Sequence, residues 1–174
     1  MGGPDGNTFD DVTGPNGIGM NNAYFTTITS LQVNHGDTLD HLIVSYQVKG
    51  EPFGPIPHGR SGGGQQLAPF LIGDREKLVK VEGWLHVFSG TQELNGLRFT
   101  KREPDGRLRD SGVLGSWGGN DPFMYDISYI PDAEIIAFYG RQGLFVNALG
   151  VWIRTPTPVP DLVAGLAGIR PPPR

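Results

Sequence analysis

The sequence contains no cysteine among its 174 residues. Disulfide bonds, thiolate metal sites and cysteine nucleophiles are therefore excluded. The absence of cysteine does not indicate whether the protein resides in an oxidising or a reducing compartment. Charged residues make up 18% of the chain, below the usual share of roughly 25%. The formal net charge is −4, and no run of lysine and arginine is present to neutralise successive phosphates. We therefore expect neither nucleic acid nor an acidic membrane surface as a partner.

Long apolar runs are also missing. No stretch approaches the roughly 18 apolar residues that a membrane span needs, so we expect no membrane insertion. Residues 1–10 lack the basic and apolar regions of a signal peptide. The sequence therefore predicts a soluble protein, cytoplasmic or secreted by a non-classical route.

The four histidines show no metal-ligand spacing, so zinc catalysis is disfavoured and no cofactor is expected.

Glycine and proline, in contrast, are abundant, with 27 and 15 copies, and both oppose helices. Every second side chain is apolar over residues 42–48, as in a half-buried strand. The alternative is a helix over residues 37–49, because this segment contains neither glycine nor proline. Its β-branched content nevertheless favours a strand. Further strands are predicted near residues 25–33, 78–88, 96–100, 135–139 and 149–153.

Three dense glycine clusters punctuate these strands, at residues 2–6, 59–64 and 115–119. They recur about 55 residues apart, which indicates three similar units. We therefore expect an all-β fold in which three small sheets are arranged with threefold internal symmetry.

Two short segments place an acid or its amide four residues after a glycine, namely Gly36 to Asp40 and Gly143 to Asn147. A carboxylate at the end of a strand accepts hydrogen bonds from two adjacent hydroxyls, and N–H groups exposed by a glycine loop donate to the same hydroxyl oxygens. Such an arrangement suits a sugar ring. The spacing alone is weak, because an aspartate that caps a tight turn gives the same pattern.

The opening of the chain carries a more specific signal. The segment from Gly2 to Asp11 resembles the jacalin-related lectins, in which a glycine-rich loop precedes Phe-Asp-Asp. Further similarities follow in order at residues 28–40, 59–64, 97–100, 118–123 and 138–151. The resemblance covers residues 2–155 and implies a β-prism, which consists of three four-stranded Greek-key sheets with pseudo-threefold symmetry and sugar sites at one end.

The resemblance implies a first sugar site formed by the Gly6 backbone with Leu144, Phe145 and Asn147. Asn147 stands where the family has an aspartate. An amide offers one acceptor oxygen where a carboxylate offers charge-assisted acceptance from two hydroxyls. The loss of one charged hydrogen bond costs about 1.5–3 kcal/mol, or roughly 10–150-fold in affinity.

A second site is implied by matches to the mannose-binding members of the family. It combines Asp37, Thr38 and Asp40 with the backbone of Gly63. Asp40 would accept from two sugar hydroxyls, and the N–H groups of the other three residues would donate. We expect this site to be the stronger one.

A third unit has a weaker match. Gly90 begins the corresponding segment, but Leu94 occupies the place of the acid, opposite Gly119 and Asn120. Trp117 lies in the same glycine loop and is the tryptophan expected at the surface.

The chain runs uncut through Gly6, which in this family implies the mannose or glucose type rather than the galactose type. We therefore expect a non-enzymatic lectin whose partners are mannose-containing glycans or glycoproteins. The alternative is a β-prism interaction module that has lost sugar binding.

A glycosidase would need two carboxylates about 5–10 Å apart across a cleft, whereas Asp37 and Asp40 lie on one short turn. The Asp10-Asp11 pair is interpreted as an acidic turn rather than a catalytic dyad.

The composition changes near residue 155. We expect a lectin domain over residues 1–155 and a proline-rich extension over residues 156–174, packed on the domain or on a neighbouring subunit. Family members have a strand upstream of the first glycine pair, and residues 159–169 are our candidate to fill its place. Because shallow sugar sites bind weakly, a homo-oligomer is also expected.

Overall fold

A computed structural model describes residues 6–119 and 121–156. Its regular structure consists of strands apart from one helical turn, α1 (Met20–Ala23), and none of the helical structure within these residues is long and apolar enough to cross a membrane. The long strands are β2 (Thr26–His35), β3 (Leu39–Val48), β4 (Glu51–Gly59), β7 (Lys77–Phe88), β8 (Thr91–Arg102), β12 (Glu134–Gln142) and β13 (Val146–Arg154). The shorter strands are β1 (Asn7–Asp10), β5 (Gln65–Gln66), β6 (Phe70–Leu71), β9 (Leu108–Asp110), β10 (Leu114–Gly115) and β11 (Asp121–Asp126).

The strands form three antiparallel sheets, as the glycine spacing predicts. The first sheet has the order β1-β12-β13. The second has the order β4-β3-β2-β5, with β6 beside β2, and the third has the order β10-β8-β7-β11, with β9 beside β8. The all-β prism is confirmed. The helix considered over residues 37–49 is wrong, because β3 buries one face of this segment against the core.

The first sheet is smaller than the other two. Its last strand, β13, pairs with β12 and has no partner on its other edge among the described residues. The extension predicted to pack near here lies, from residue 157 onward, outside the described part of the chain.

One apolar core lies between the three sheets. In β3, the alternating residues Leu42, Val44 and Tyr46 are all at most 2% exposed. Phe99 of β8 and Phe138 of β12 are fully buried, and their rings meet edge to face with 6.4 Å between centroids. Each sheet therefore turns one side inward, and the hairpins end at the two ends of the prism.

Each of the three long hairpins contains a β-bulge on its second strand, near the same end of the prism. The pairing register skips Asp40 in the β2–β3 hairpin, Asn147 in the β12–β13 hairpin and Asn95 in the β7–β8 hairpin. A bulge leaves one residue without a cross-strand partner and re-aims its side chain. The sequence spacing assigned the third position to Leu94. The structure corrects this assignment to Asn95, because the third hairpin continues further beyond its bulge.

Candidate functional site

The Asp40 side chain lies between two glycine-rich loops at one end of the prism. A Cβ atom added to Gly63 would lie 2.9 Å from Asp40 Oδ1, and one added to Gly36 would lie 3.2 Å from Asp40 Oδ2. Both loops therefore approach the carboxylate more closely than a larger residue allows. Asp40 is 9% exposed. The structure thus brings together the second predicted set of residues.

Backbone hydrogen bonds hold this arrangement in place. The Arg60 N–H donates to the Asp40 carbonyl at 2.9 Å. Gly59 has φ +88°, and a Cβ atom there would lie 2.2 Å from the same carbonyl oxygen. In the facing loop, the Gly36 N–H donates to the Thr38 carbonyl at 3.1 Å. The carboxylate is therefore presented by two loops with fixed geometry.

Asp37 and Thr38 form the tip of this loop. Asp37 is exposed, whereas Thr38 is 1% exposed and its hydroxyl has no hydrogen-bond partner among the described residues. Thr38 as a whole is therefore buried within the loop that precedes Asp40.

Histidines flank the Asp40 carboxylate. His35 Nδ1 lies 2.7 Å from the Gly36 carbonyl and helps to close the loop. Burial lowers the pKa of His41 below its ordinary value, and the nearby His58 acts in the same direction, while the Asp40 charge opposes both. Burial and the neighbouring His58 therefore disfavour the charged form of His41.

Asn147 occupies the corresponding place in the β12–β13 hairpin. It is 4% exposed, and its Oδ1 atom has no hydrogen-bond partner among the described residues. Gly6 has φ +88°, and a Cβ atom there would lie 3.0 Å from this oxygen. A Cβ atom on Gly143 would lie 3.7 Å from it. The first predicted set is therefore also assembled, with an amide in place of a carboxylate.

A groove of about 440 Å³ opens beside Asn147. Leu144 is 63% exposed at its rim, and Phe145 packs edge-on against Phe88 with 5.8 Å between ring centroids. The lining residues are Gly6, Phe88, Ser89, Thr91, Glu93, Gly143, Leu144, Phe145 and Asn147. The predicted residues of the first site therefore lie in one groove, together with side chains from the third sheet that the sequence did not indicate.

The two sites are neighbours. The Gly59 N–H donates to Gln142 Oε1 at 2.8 Å, which joins the loop of the second site to the hairpin of the first. A Cβ atom on Gly59 would also lie 3.3 Å from Val146 Cγ2. Both sites therefore lie at the same end of the prism.

The third unit has a different arrangement. Asn95 Nδ2 donates to the Gly118 carbonyl at 2.8 Å, so the amide is partly used to hold the loop. Trp117 is 64% exposed, as expected, and its ring packs at a tilt against Trp84 with 4.6 Å between ring centroids. Asn120 lies outside the described residues. Asn95 could not be predicted from the sequence, because glycine spacing does not show where a bulge falls.

The acidic pair at the end of β1 has a structural role. Asp10 accepts hydrogen bonds from the Val12 and Thr13 backbone at 2.8 and 3.0 Å. Asp11 is buried and accepts from the Tyr46 hydroxyl, with His58 Nε2 3.0 Å away. Within the described ranges, no group of three or more histidine, aspartate or glutamate side chains is placed to hold a metal ion.

Comparison with known proteins identifies similar sequences and similar folds. The sequence profile of the jacalin-like lectin domain matches residues 1–152. An agglutinin from Castanea crenata is 28% identical over 141 residues, which cover 79% of this chain and 43% of the agglutinin. The chain thus spans less than half the length of that relative.

Two solved structures have similar folds. A mannose-specific jacalin-related lectin from Morus nigra, in complex with mannose, is 27% identical with a TM-score of 0.68, covering 87% of this chain and 88% of that one. Wild-type Malaysian banana lectin is 26% identical with a TM-score of 0.69, covering 89% of this chain and 94% of that one.

Proposed function

Because the chain belongs to the jacalin-like lectin family, whose members are non-enzymatic carbohydrate-binding proteins, we propose that it binds mannose- and glucose-type glycans at its glycine-loop sites. The observation that carries this proposal is the Asp40 carboxylate, which is held between the loops of Gly36 and Gly63.

The proposed contacts follow from the chemistry of the site. Two hydroxyls on adjacent sugar carbons donate to the two oxygens of Asp40, and charge assistance makes these the strongest contacts. The N–H groups of Asp37, Thr38 and Gly63 donate to the sugar oxygens. Such a shallow polar site discriminates sugars by the orientation of neighbouring hydroxyls.

Two observations support mannose or glucose over galactose. The sequence runs through Gly6 without a break, which by resemblance to the family favours the uncut, mannose or glucose type. The Morus nigra neighbour is described as mannose-specific. Mannose-containing glycans or glycoproteins are therefore the proposed partners.

We also propose that the protein acts as a homo-oligomer. A site that replaces water hydrogen bonds and buries little apolar area binds weakly. Several sites on one oligomer convert this weak affinity into avidity, provided that the distance between the sites matches the glycan.

Calorimetric titration with methyl α-mannoside tests the proposal. The conservative variant Asp40→Asn removes the charge and keeps the shape of the side chain. We therefore expect the affinity of its second site for methyl α-mannoside to fall by about 10–150-fold. Asp74→Asn, in an exposed turn, is the matched control and should bind as the wild type does.

Two results would contradict the proposal. Unchanged binding by Asp40→Asn would show that the second site is not built on this carboxylate. A wild-type protein that binds no sugar on a glycan array would favour the alternative, a β-prism interaction module without sugar binding.

A further inference from the structure

The groove beside Asn147 contains a carboxylate from a different hairpin. Glu93 of β8 lines the groove together with Asn147 of β13, and the two side chains are 3% and 4% exposed. Among the described residues that line the groove, Glu93 is the one acidic side chain. The groove volume of about 440 Å³ lies within the range of small-molecule sites.

The length of the third hairpin places Glu93 there. The β7–β8 ladder continues past its bulge at Asn95 as far as the pair formed by Phe88 and Thr91. In each of the other two hairpins a single residue pair lies between the bulge and the loop. Because the third hairpin is longer, its tip reaches the first site, where the Phe88 ring packs against Phe145.

The Glu93 carboxylate is also held in a defined orientation. The Thr91 hydroxyl donates to Glu93 Oε1 at 2.6 Å. A carboxylate has about four acceptor positions on its two oxygens, so acceptance from Thr91 is compatible with acceptance from a ligand hydroxyl.

The amide at position 147 fits this arrangement. Two carboxylates in one groove repel each other, and one of them then resists ionisation. A neutral side chain at position 147 avoids this repulsion. Its Oδ1 atom is buried and has no hydrogen-bond partner among the described residues, so its acceptor capacity is unused there.

We propose that Glu93 supplies the first site with the carboxylate that position 147 lacks, so that a neutral hexose is held between Glu93 of the third sheet and the Gly6 and Asn147 loops of the first sheet. This inference rests on the proposed function, since it assigns a further contact residue to one of the sugar sites. Glu93 then determines which hexose hydroxyls the first site accepts.

The experiment is a titration of ¹⁵N-labelled protein with methyl α-mannoside, followed by amide chemical shifts. The Gly143 amide reports the first site and the Gly63 amide reports the second. The variants are Glu93→Gln, Asn147→Asp and the double variant, with Glu103→Gln as a control at the opposite end of the prism. The second site serves in every variant as the control for correct folding.

We expect Glu93→Gln to weaken the first site by about tenfold or more and to leave the second unchanged. Asn147→Asp should not strengthen the first site in the presence of Glu93. The double variant should regain affinity to within about threefold of the wild type, because one carboxylate is again present.

The inference is overturned if Glu93→Gln leaves first-site affinity unchanged, or if the double variant binds no better than Glu93→Gln. It is also overturned if the wild-type Gly143 amide does not respond while the Gly63 amide does, and in that case the proposed function still stands. If neither amide responds, the proposed function itself fails.

Discussion

At the scale of single residues, the charge of Asp11 is stabilised in the interior by two side chains from other strands. The Tyr46 hydroxyl donates to Asp11 Oδ2, and His58 Nε2 lies 3.0 Å from Oδ1. Burial raises the pKa of Tyr46 well above its ordinary value, and the Asp11 charge adds to this effect. Tyr46 therefore stays protonated and serves as a permanent donor to the buried carboxylate.

Removal of this donor should be costly. Tyr46→Phe leaves the Asp11 carboxylate with one hydrogen bond fewer, and we expect the free energy of unfolding to fall by about 1.5–3 kcal/mol. Urea denaturation measures the change. Tyr129→Phe is the matched control, because Tyr129 is 75% exposed, and its stability should equal that of the wild type. Equal effects of the two substitutions would refute the role given to Tyr46.

Glycine at position 59 is required for a second reason besides its positive φ. Gly59 and Gly62 have similar φ values of +88° and +80°, so alanine strains the backbone at both. Only at Gly59 does the added Cβ atom meet another group, the Asp40 carbonyl oxygen at 2.2 Å. We expect Gly62→Ala to lower the free energy of unfolding by about 1–2 kcal/mol. Gly59→Ala should lower it by more and should also weaken sugar binding. Thermal denaturation with mannoside titration checks both, and equal costs would contradict this account.

At the scale of elements, the alternation of apolar residues in each hairpin is visible in the sequence, whereas the pairing register of its strands is not. Alternating apolar residues predicted β3 and the other long strands, because burial of one sheet face requires that period. The positions of the bulges could not be predicted, since they depend on how the strands pair across the hairpin. For this reason Asp40 and Asn147 were identified from family motifs, whereas Asn95 and Glu93 were not.

The third sheet contains an ion pair that gives it a pH dependence. Arg98 of β8 donates to both carboxylate oxygens of Glu82 of β7, at 2.8 and 2.9 Å. These hydrogen bonds lower the pKa of Glu82 below its ordinary value of 4.5, with burial opposing and Lys80 assisting. A lowered pKa in the folded state stabilises the fold above the unfolded-state value, and this contribution disappears as the pH falls through the folded-state value.

The variant Glu82→Gln tests this linkage. We expect the wild type to be more stable than the variant at neutral pH and the difference to shrink as the pH falls below about 4.5. Urea denaturation between about pH 7 and pH 3 measures it. Glu51→Gln, at an exposed position in β4, is the control. A difference that stays constant over this range would show that the Glu82 pKa is not lowered by folding.

At the scale of the whole molecule, the three sheets surround one core and present two candidate sites at the same end of the prism. The threefold arrangement was predictable from the glycine spacing, because each unit repeats the same loop. The outer edge of β13 has no partner within the described part of the first sheet. Two sites on one face suit a multivalent ligand.

Deletion of residues 156–174 tests the role predicted for the C-terminal extension. An uncovered strand edge promotes pairing with other chains. If the extension covers this edge in its own chain or in a neighbour, the truncated protein should have a lower denaturation midpoint or a changed oligomeric state. Light scattering and thermal denaturation measure these properties. Unchanged values of both would show that the extension does not contribute to the assembly.

The central claim is that Asp40, held between two glycine loops, binds the sugar. A crystal structure of the protein with methyl α-mannoside tests it most directly. The account predicts a pyranose ring between Gly36 and Gly63, with hydroxyls on adjacent carbons about 2.5–3.0 Å from the two oxygens of Asp40. A mannoside bound elsewhere on the prism, with no contact to Asp40, would contradict it.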